Sequence, residues 1–584
     1  MRVKHPWRWA SGAVAAVIAV IVGYAGWLVW DAAHHLKAAA SEASAIKAAA
    51  LGDDPAKIAS TIHDFSGHAH GAAKATGSPV WSLMTHLPVF GDDARGVRAA
   101  SQVADDLSRG ALTELAGTVG DIDAVLPQNG GVDLAKVQSL VKPVADSDAA
   151  LQRAKRQLAA QDPSGYVGSL KLRYRDLQTK VDDAASAIGV ADRALKVLPR
   201  MLGADGRHNY LVIMQNNAEI RATGGLPGAV SLITADNGKI TMGRELAGNS
   251  FGEAPQEVLP LQPAEEKIFG KNLGRYFLDA NLTPDFSRSA DLWKARWEQT
   301  QPEKIDGVIS LDTVTLSYLL DALGPVDVDG VHLTSDNVVD ELLSKVYAQR
   351  PNPADQDAFF GQVASTVFQR MTTFSGSKRV LLQALQRAAD EHRILIHDFH
   401  SDVQGDLTGT AVAGELTANA PKTPQVGVYF ADGTLSKMSY YLRYSTHVSA
   451  TSCVNGVQTL SGTLTLRSTA PKDAKTTLPA YVLGTGNALP KSSAGDMLVA
   501  VYVFAPEGGA ASKFDDNDLD FDQFTAELDG RQVIGTWVLL EPGQAQDLKW
   551  TMTSGKGQTG DTSVAVTPSI AAGSSSSTVA TACS

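Results

Sequence analysis

A multidomain α+β fold is the class that this 584-residue sequence predicts, and three features of the pattern predict it. A basic N-terminus leads into an uncharged apolar run, and helical apolar spacing then persists to about residue 204. From residue 205 strands mix with helices, and from residue 420 strands follow one another alone. The length exceeds what one hydrophobic core fills, so several domains are expected. Charged residues at 20% and apolar residues at 44% are the proportions of globular material. A net charge of −12, with no large cluster of Lys and Arg, argues against nucleic acid as a partner.

Residues 1–9, "MRVKHPWRW", read as a cytoplasmic tail carrying Arg2, Lys4 and Arg8. Residues 10–30 read as a transmembrane helix, because 21 residues rise about 31 Å and so match a bilayer's hydrocarbon core. Trp7, Trp9, Trp27 and Trp30 stand at its two ends, where interfacial aromatics belong. A cleaved signal peptide is the competing reading, but its apolar core is usually shorter. The expectation is a single-pass protein of the cell membrane, with the N-terminus inside and an extracytoplasmic ectodomain.

Residues 31–204 read as an antiparallel helical stalk or bundle. Leu170, Tyr174, Leu177, Val181, Ala184, Ile188, Ala191, Leu195 and Leu198 step by four and three, and Val103, Leu107, Ala111, Leu115, Ile122 and Leu126 form a similar stripe. Pro143 is expected to kink the helix between them. Residues 205–405 read as an α/β core domain: "NYLVIM" is a buried strand, Asn237-Gly238 is a hairpin turn, and Asp312 and Gly324 bound a helix. A linker follows at 406–419, then a β-sandwich at 420–566 and a Ser-rich tail at 567–584. Cys453 and Cys583 are the two cysteines, an even pair that predicts a disulfide pinning the tail.

Motifs for ATP-driven chemistry and for a zinc-binding protease helix are absent, with no Walker-type phosphate loop and no H-E-x-x-H, while the pattern G-x-S-x-G occurs as Gly248-Asn249-Ser250-Phe251-Gly252. His63, His68 and His70 in one segment, and His397 and His400 in another, lack metal-ligand spacing and read as solvated or locally bonded. Asp516, Asp518, Asp520 and Glu527 mimic a calcium loop, but Phe521 stands where its turn needs Gly, so a solvated acidic loop is expected. The sharpest candidate is "QNNAEIRATGG" at 215–225, where a buried strand runs into amides, charge and glycine. Arg221 suits an anion and the Gly224-Gly225 backbone could approach one. With Arg244, Arg275, Asn281 and Arg288 nearby in the pattern, Glu219 and Asp285 would complete a pyrophosphate site with a divalent metal such as Mg²⁺. The alternative is that Arg221 pairs with Glu219 or Asp285 and ties loops together.

"YLVIMQNNAEIRATGG", "GKITMGRE", "DANLTPDFSRSA", "KIDGVISLDTVTLSYLLDALGPVDV" and "LPAYVLGTG" resemble, in this order, the bacterial envelope family of the domain of unknown function 4012, across roughly residues 80–560. The central part is similar, more distantly, to the LytR-CpsA-Psr phosphotransferases, which move glycopolymers from polyprenyl-pyrophosphate carriers onto peptidoglycan. That resemblance implies a LytR-CpsA-Psr-like core in which Arg221 and Arg244 are the catalytic phosphate-binding arginines and Asn281 belongs to a third motif. Asn216, Asn217, Thr223, Gly224, Gly225 and Arg288 would line the ligand site beside them. Two positions depart from the pattern: Ala222-Thr223 replace the expected acidic residue after Arg221, and Gly243 replaces a Pro before Arg244. The expected function is binding or transfer of a polyprenyl-pyrophosphate-linked glycopolymer. The alternative is a non-catalytic envelope scaffold that contacts cell-wall polymer or partner proteins.

Overall fold

The computed structural model describes residues 6–52, 55–118, 125–127, 130–374, 376–416, 422–484, 492–515 and 521–583. They form two compact units, Met1–Val125 with Asp133–Pro199, and Leu126–Val132 with Arg200–Ser584.

The first unit is helical: α1 (Pro6–Gly52), α2 (Pro55–Thr76), α3 (Pro79–Met84), α4 (Gly91–Arg109), α5 (Ala111–Thr118), α6 (Leu134–Ala159) and most of α7 (Gly168–Met201). Helix starts follow local chemistry. Ser78 accepts the Trp81 N–H ahead of Pro79, and Asp133 accepts those of Ala135 and Lys136 at the head of α6. Pro143 lies inside α6 without ending it. Tyr174 and Val181 of α7 are buried with Val103, Ala154 and Leu158, so the apolar stripe of α7 is core. The stripe through Val103 breaks at Gly110, and its Ile122 lies outside the described residues.

The transmembrane helix expected at 10–30 is not supported, and the single-pass anchor and cell-membrane placement built on it are corrected with it. Among the described residues no helix is long and apolar enough to cross a membrane. The segment instead opens a helix of 47 residues that runs on through Asp31, His34, His35 and Lys37. Leu28 and Ala32 are buried against Ala75, Trp81 and Ala94, and Ala39 packs with Phe65 and Ala69. Within 10–30, Leu28 is the one buried side chain among those described, while Val20, Val22, Tyr24, Trp27, Val29 and Trp30 are exposed.

The second unit holds a five-stranded mixed sheet in the order β3-β2-β1-β4-β7. Its strands are β1 (His208–Asn216), β2 (Leu226–Asp236), β3 (Lys239–Ala247), β4 (Gly307–Asp312) and β7 (Ile394–Asp398). Only β1 and β4 run parallel within it; β2 and β3 form the hairpin at Asn237-Gly238, and β7 is antiparallel to β4. Between β3 and β4 lie α8 (Pro263–Phe269) and α9 (Phe286–Thr300), the latter capped by the Asp285 side chain. Next come α10 (Thr313–Leu323) and the ribbon of β5 (Val326–Val328) and β6 (Val331–Leu333). Helices α11 (Val338–Asp340), α12 (Val346–Gln349), α13 (Pro353–Thr372) and α14 (Lys378–Asp390) precede β7, and α15 (Ser401–Leu407) follows it.

Beyond residue 422 two antiparallel-rich sheets complete the unit. One has the order β12-β13-β11-β8-β15-β16 and the other β14-β10-β9. Their strands are β8 (Gln425–Asp432), β9 (Leu442–Val454), β10 (Val457–Ser468), β11 (Met497–Phe504), β12 (Phe524–Leu528), β13 (Arg531–Leu540), β14 (Ala545–Thr553), β15 (Thr562–Val566) and β16 (Ser577–Val579). Two single-turn helices, α16 (Ala474–Thr477) and α17 (Ala480–Leu483), separate β10 from β11. Leu211, Ile213, Phe286, Trp293 and Trp297 share one buried cluster with Tyr502, Phe504 and Val533, so the α/β and β-rich parts have a common core. A disulfide joins Cys453 on β9 to Cys583, closing a separation of 130 residues and fixing the tail.

Candidate functional site

The stretch 215–225 sits where β1 ends and the chain turns into β2, at the carboxyl end of the parallel pair β1 and β4, a common ligand position in α/β sheets. The local sequence explains the turn. Gly224 has φ +136°, which side-chain-bearing residues rarely adopt, and a Cβ on Gly225 would lie 2.4 Å from the Asn216 carbonyl carbon. The glycines are thus required by the approach of the chain to its own backbone.

Amides then lock the loop. Gln215 Oε1 accepts the Gly225 N–H at 2.8 Å and the Thr223 hydroxyl at 3.1 Å, while its Nε2 donates to Ser310 at 2.9 Å. Asn281 is fully buried and donates to Thr223 Oγ1 at 2.9 Å and to the Gly225 carbonyl at 2.8 Å. Asn217 donates to Asp312 at 3.2 Å, and Asn216 donates to the Tyr347 hydroxyl at 2.6 Å.

Arg221 is 2% exposed. Its guanidinium donates to Glu219 at 3.4 Å, Asp279 at 3.2 Å, and the carbonyls of Ile220 at 3.0 Å and Asp432 at 3.5 Å. Glu219 also pairs with the buried Lys437. Burial pushes the Glu219 carboxyl up, but the charges of Lys437 and Arg221 outweigh it and hold the group below its ordinary range. Asp432 is pushed up to about 6, first by burial and then by the charge of Glu219. Three atoms of this network, Arg221 Nε, Asn217 Oδ1 and Asn281 Oδ1, are buried without a hydrogen-bond partner.

Later parts of the chain cover this edge. Thr567 donates to the Ala222 carbonyl at 3.0 Å. Arg393, fully buried, joins Asp312 at 2.7 Å and Glu391 at 2.7 Å, and donates to the carbonyls of Ser569, Ala571 and Gly573. The tail therefore packs onto the end of β4.

The other candidate residues lie apart from Arg221. Arg244 is half-exposed on β3 and pairs with Glu303 at 3.0 Å and with Gln301. Arg288 grips Glu265 at 2.7 Å and the Pro260 carbonyl, and Arg275 pairs with Glu253 at 2.8 Å. Asp285 caps α9 by accepting the Ser287 N–H at 3.0 Å, and burial pushes its carboxyl up to about 6. Glu219 and Asp285 share no partner, and neither belongs to a group of three metal-ligating side chains among the described residues. They do not fit a Mg²⁺ site. Of the histidines, His68 meets His35 at 3.0 Å and Glu42 at 3.4 Å, His70 meets Asp105 at 3.5 Å, and His400 meets Asp398 at 2.8 Å. Asp516, Asp518 and Asp520 lie outside the described residues.

The sequence marks Asp312 only as the helix cap that it is, and gives no site role to Asp279, Arg393, Asp432 or Lys437. Arg393, Asp432 and Lys437 lie far along the chain from Arg221, and nothing in their local pattern marks them.

Fold and network together define an α/β protein whose sheet edge is closed by buried ion pairs and by its own C-terminal segment. Residues 205–347 match the family described as "Protein of unknown function (DUF4012)". The similarity to the LytR-CpsA-Psr phosphotransferases is not shown by this match. No curated protein matches the chain.

Proposed function

We propose that this protein is a non-catalytic envelope scaffold, contacting cell-wall polymer or other envelope proteins, in which the 215–225 stretch works as an internal clasp. The burial of Arg221 carries the non-catalytic, clasp part of this reading. A guanidinium that already faces two carboxylates and two carbonyls has little left for a phosphate, and freeing it would take a counter-charge from both Glu219 and Asp279. Arg244 stands away on an edge strand, so the two arginines do not converge as a pyrophosphate clamp requires.

A second reading, binding or transfer of a polyprenyl-pyrophosphate-linked glycopolymer, is favoured by the unpartnered atoms of Arg221, Asn217 and Asn281. Such an activity would draw its rate from charge stabilisation and would need the clasp to open. Titration of the full chain with a polyprenyl-pyrophosphate glycan, with and without Mg²⁺, separates the two. The scaffold reading expects no saturable, Mg²⁺-dependent binding. Saturable binding that Arg221→Lys abolishes, in a protein whose circular dichroism is unchanged, overturns it.

A further inference from the structure

At the opposite edge of the same sheet, three neighbouring strands bring together residues that the clasp does not use. His208 opens β1, Asp306 immediately precedes β4, and His400 follows β7 by two residues. Because β1 and β4 are parallel and β7 is antiparallel to β4, these positions fall at one end of the sheet. Asp306 places Oδ2 3.7 Å from His208 Nδ1 and Oδ1 3.7 Å from His400 Nε2. One potential ligand atom from each residue lies within 4.8 Å of the others.

We propose that His208, Asp306 and His400 form a binding site for a single divalent transition-metal ion of the zinc class. Independently of this convergence, a ring nitrogen of the trio is left without a partner. His208 is 8% exposed, and its buried Nδ1 has no hydrogen-bond partner although it faces the Asp306 carboxylate. A buried polar atom left in this way is costly unless something occupies the space beside it.

The outer contacts set the imidazoles for a cation. His208 Nε2 donates to Asp205 Oδ1 at 2.8 Å, and His400 Nδ1 donates to Asp398 Oδ1 at 2.8 Å. Each ring thereby spends its proton on a carboxylate and turns its lone-pair nitrogen toward Asp306, the arrangement that carboxylate partners impose on metal-binding histidines. Two rings so oriented set lone pairs against an acceptor carboxylate, which a metal cation among them relieves, as a second proton on each ring also would. Asp306 is itself oriented by the Asn209 N–H, which donates to Oδ2 at 2.7 Å. Ligand atoms around a tetrahedral zinc-class ion sit roughly 3.4 Å apart, so atoms that here lie within 4.8 Å of one another must close by up to about 1.4 Å on binding.

Asp402, Asp205, Asp398 and Asp306 make the surroundings acidic, with Arg200 bound between Asp205 and Asp402. The His400 and Asp306 side chains are 29% and 26% exposed, which leaves an entry path and room for a solvent ligand. Two imidazoles and one carboxylate favour Zn²⁺, Co²⁺, Ni²⁺ or Cu²⁺ over Mg²⁺ and Ca²⁺.

The test uses the full, disulfide-bonded chain without an affinity tag, stripped by chelator and titrated with Co²⁺ and then Zn²⁺. The expected result is one equivalent of Co²⁺ with visible absorption bands that Zn²⁺ displaces and millimolar Mg²⁺ does not. His400→Gln and Asp306→Asn should each weaken binding by at least about tenfold, and Asp205→Asn by about tenfold through the lost outer contact. Metal-free circular dichroism and melting curves show that these variants fold. Absence of stoichiometric uptake by the unmodified protein overturns the proposal, as does equal affinity in the folded variants.

Discussion

At one edge of the five-stranded sheet Arg221, 2% exposed, meets two carboxylates and two carbonyls; at the other, His208 keeps a buried nitrogen without a partner beside a partly open Asp306 and His400. Both edges gather charged and ring side chains from strands adjacent in space and distant in sequence. They differ in how far those groups satisfy one another. Around Arg221, Glu219 and Lys437 opposite charges are paired and covered, so the cluster holds the fold and offers little to a ligand. Around His208 three electron-pair donors converge on one space. A conspicuous motif therefore marks the closed edge, and an inconspicuous trio marks the open one.

The comparison predicts unequal responses to substitution. The largest belongs to Glu219→Ala, which leaves Lys437 and Arg221 buried with their main shared counter-charge gone. Breaking a buried pair from one side costs about 3–5 kcal/mol, so urea unfolding should show a loss of that order. A loss below about 1 kcal/mol would mean that the cluster is wetter and looser than its burial implies.

A smaller effect, of the opposite sign, comes from Asp285. This carboxyl is pushed up to about 6 from an ordinary 3.8, by burial first, and it meets the like charges of Asp529 and Glu415. A raised carboxyl contributes stability that is fully present below pH 4 and is lost as pH rises through about 6, so at pH 8 the buried carboxylate costs up to about 3 kcal/mol. Asparagine keeps the cap, since its side-chain oxygen still accepts the Ser287 N–H. Asp285→Asn should therefore stabilise the protein by about 1–3 kcal/mol at pH 8 and by nothing at pH 4. An equal gain at both pH values would remove titration as the cause.

The same contrast explains what the sequence discloses. Strands, helices and the Asn237-Gly238 hairpin are local, and they follow from spacing and turn chemistry. The buried amides at Asn217 and Asn281 and the glycines at 224–225 were visible as unusual residues, but their roles depend on Asp312, Asp432 and Lys437, which no local pattern links to them. The disulfide was legible because only two cysteines could form it. Hydropathy records that the N-terminal run is apolar without recording what covers it; at Leu28 the cover is protein, and Ala32, buried with it, lies just past the run. His400 reads in the sequence as a solvated or locally bonded histidine, and His208 and Asp306 draw no notice, because the three meet only where the ends of three different strands come together.

The smallest expected effect bears most directly on the difference between the two edges. His400 contributes a hydrogen bond to Asp398 and partly open contacts to Asp306 and the His208 ring, whose centroid is 5.1 Å from its own. Losing one partly exposed hydrogen bond costs about 1 kcal/mol, so metal-free His400→Gln should unfold within about 1 kcal/mol of the unmodified chain. A folding element such as Glu219 must lose more, because its partners are left charged and out of water. If His400→Gln costs as much as Glu219→Ala, the amino edge of the sheet is also a clasp, and the contrast collapses into two structural clusters. If it costs little, the fold does not need His400 where it stands, and its convergence on Asp306 and His208 calls for a ligand instead.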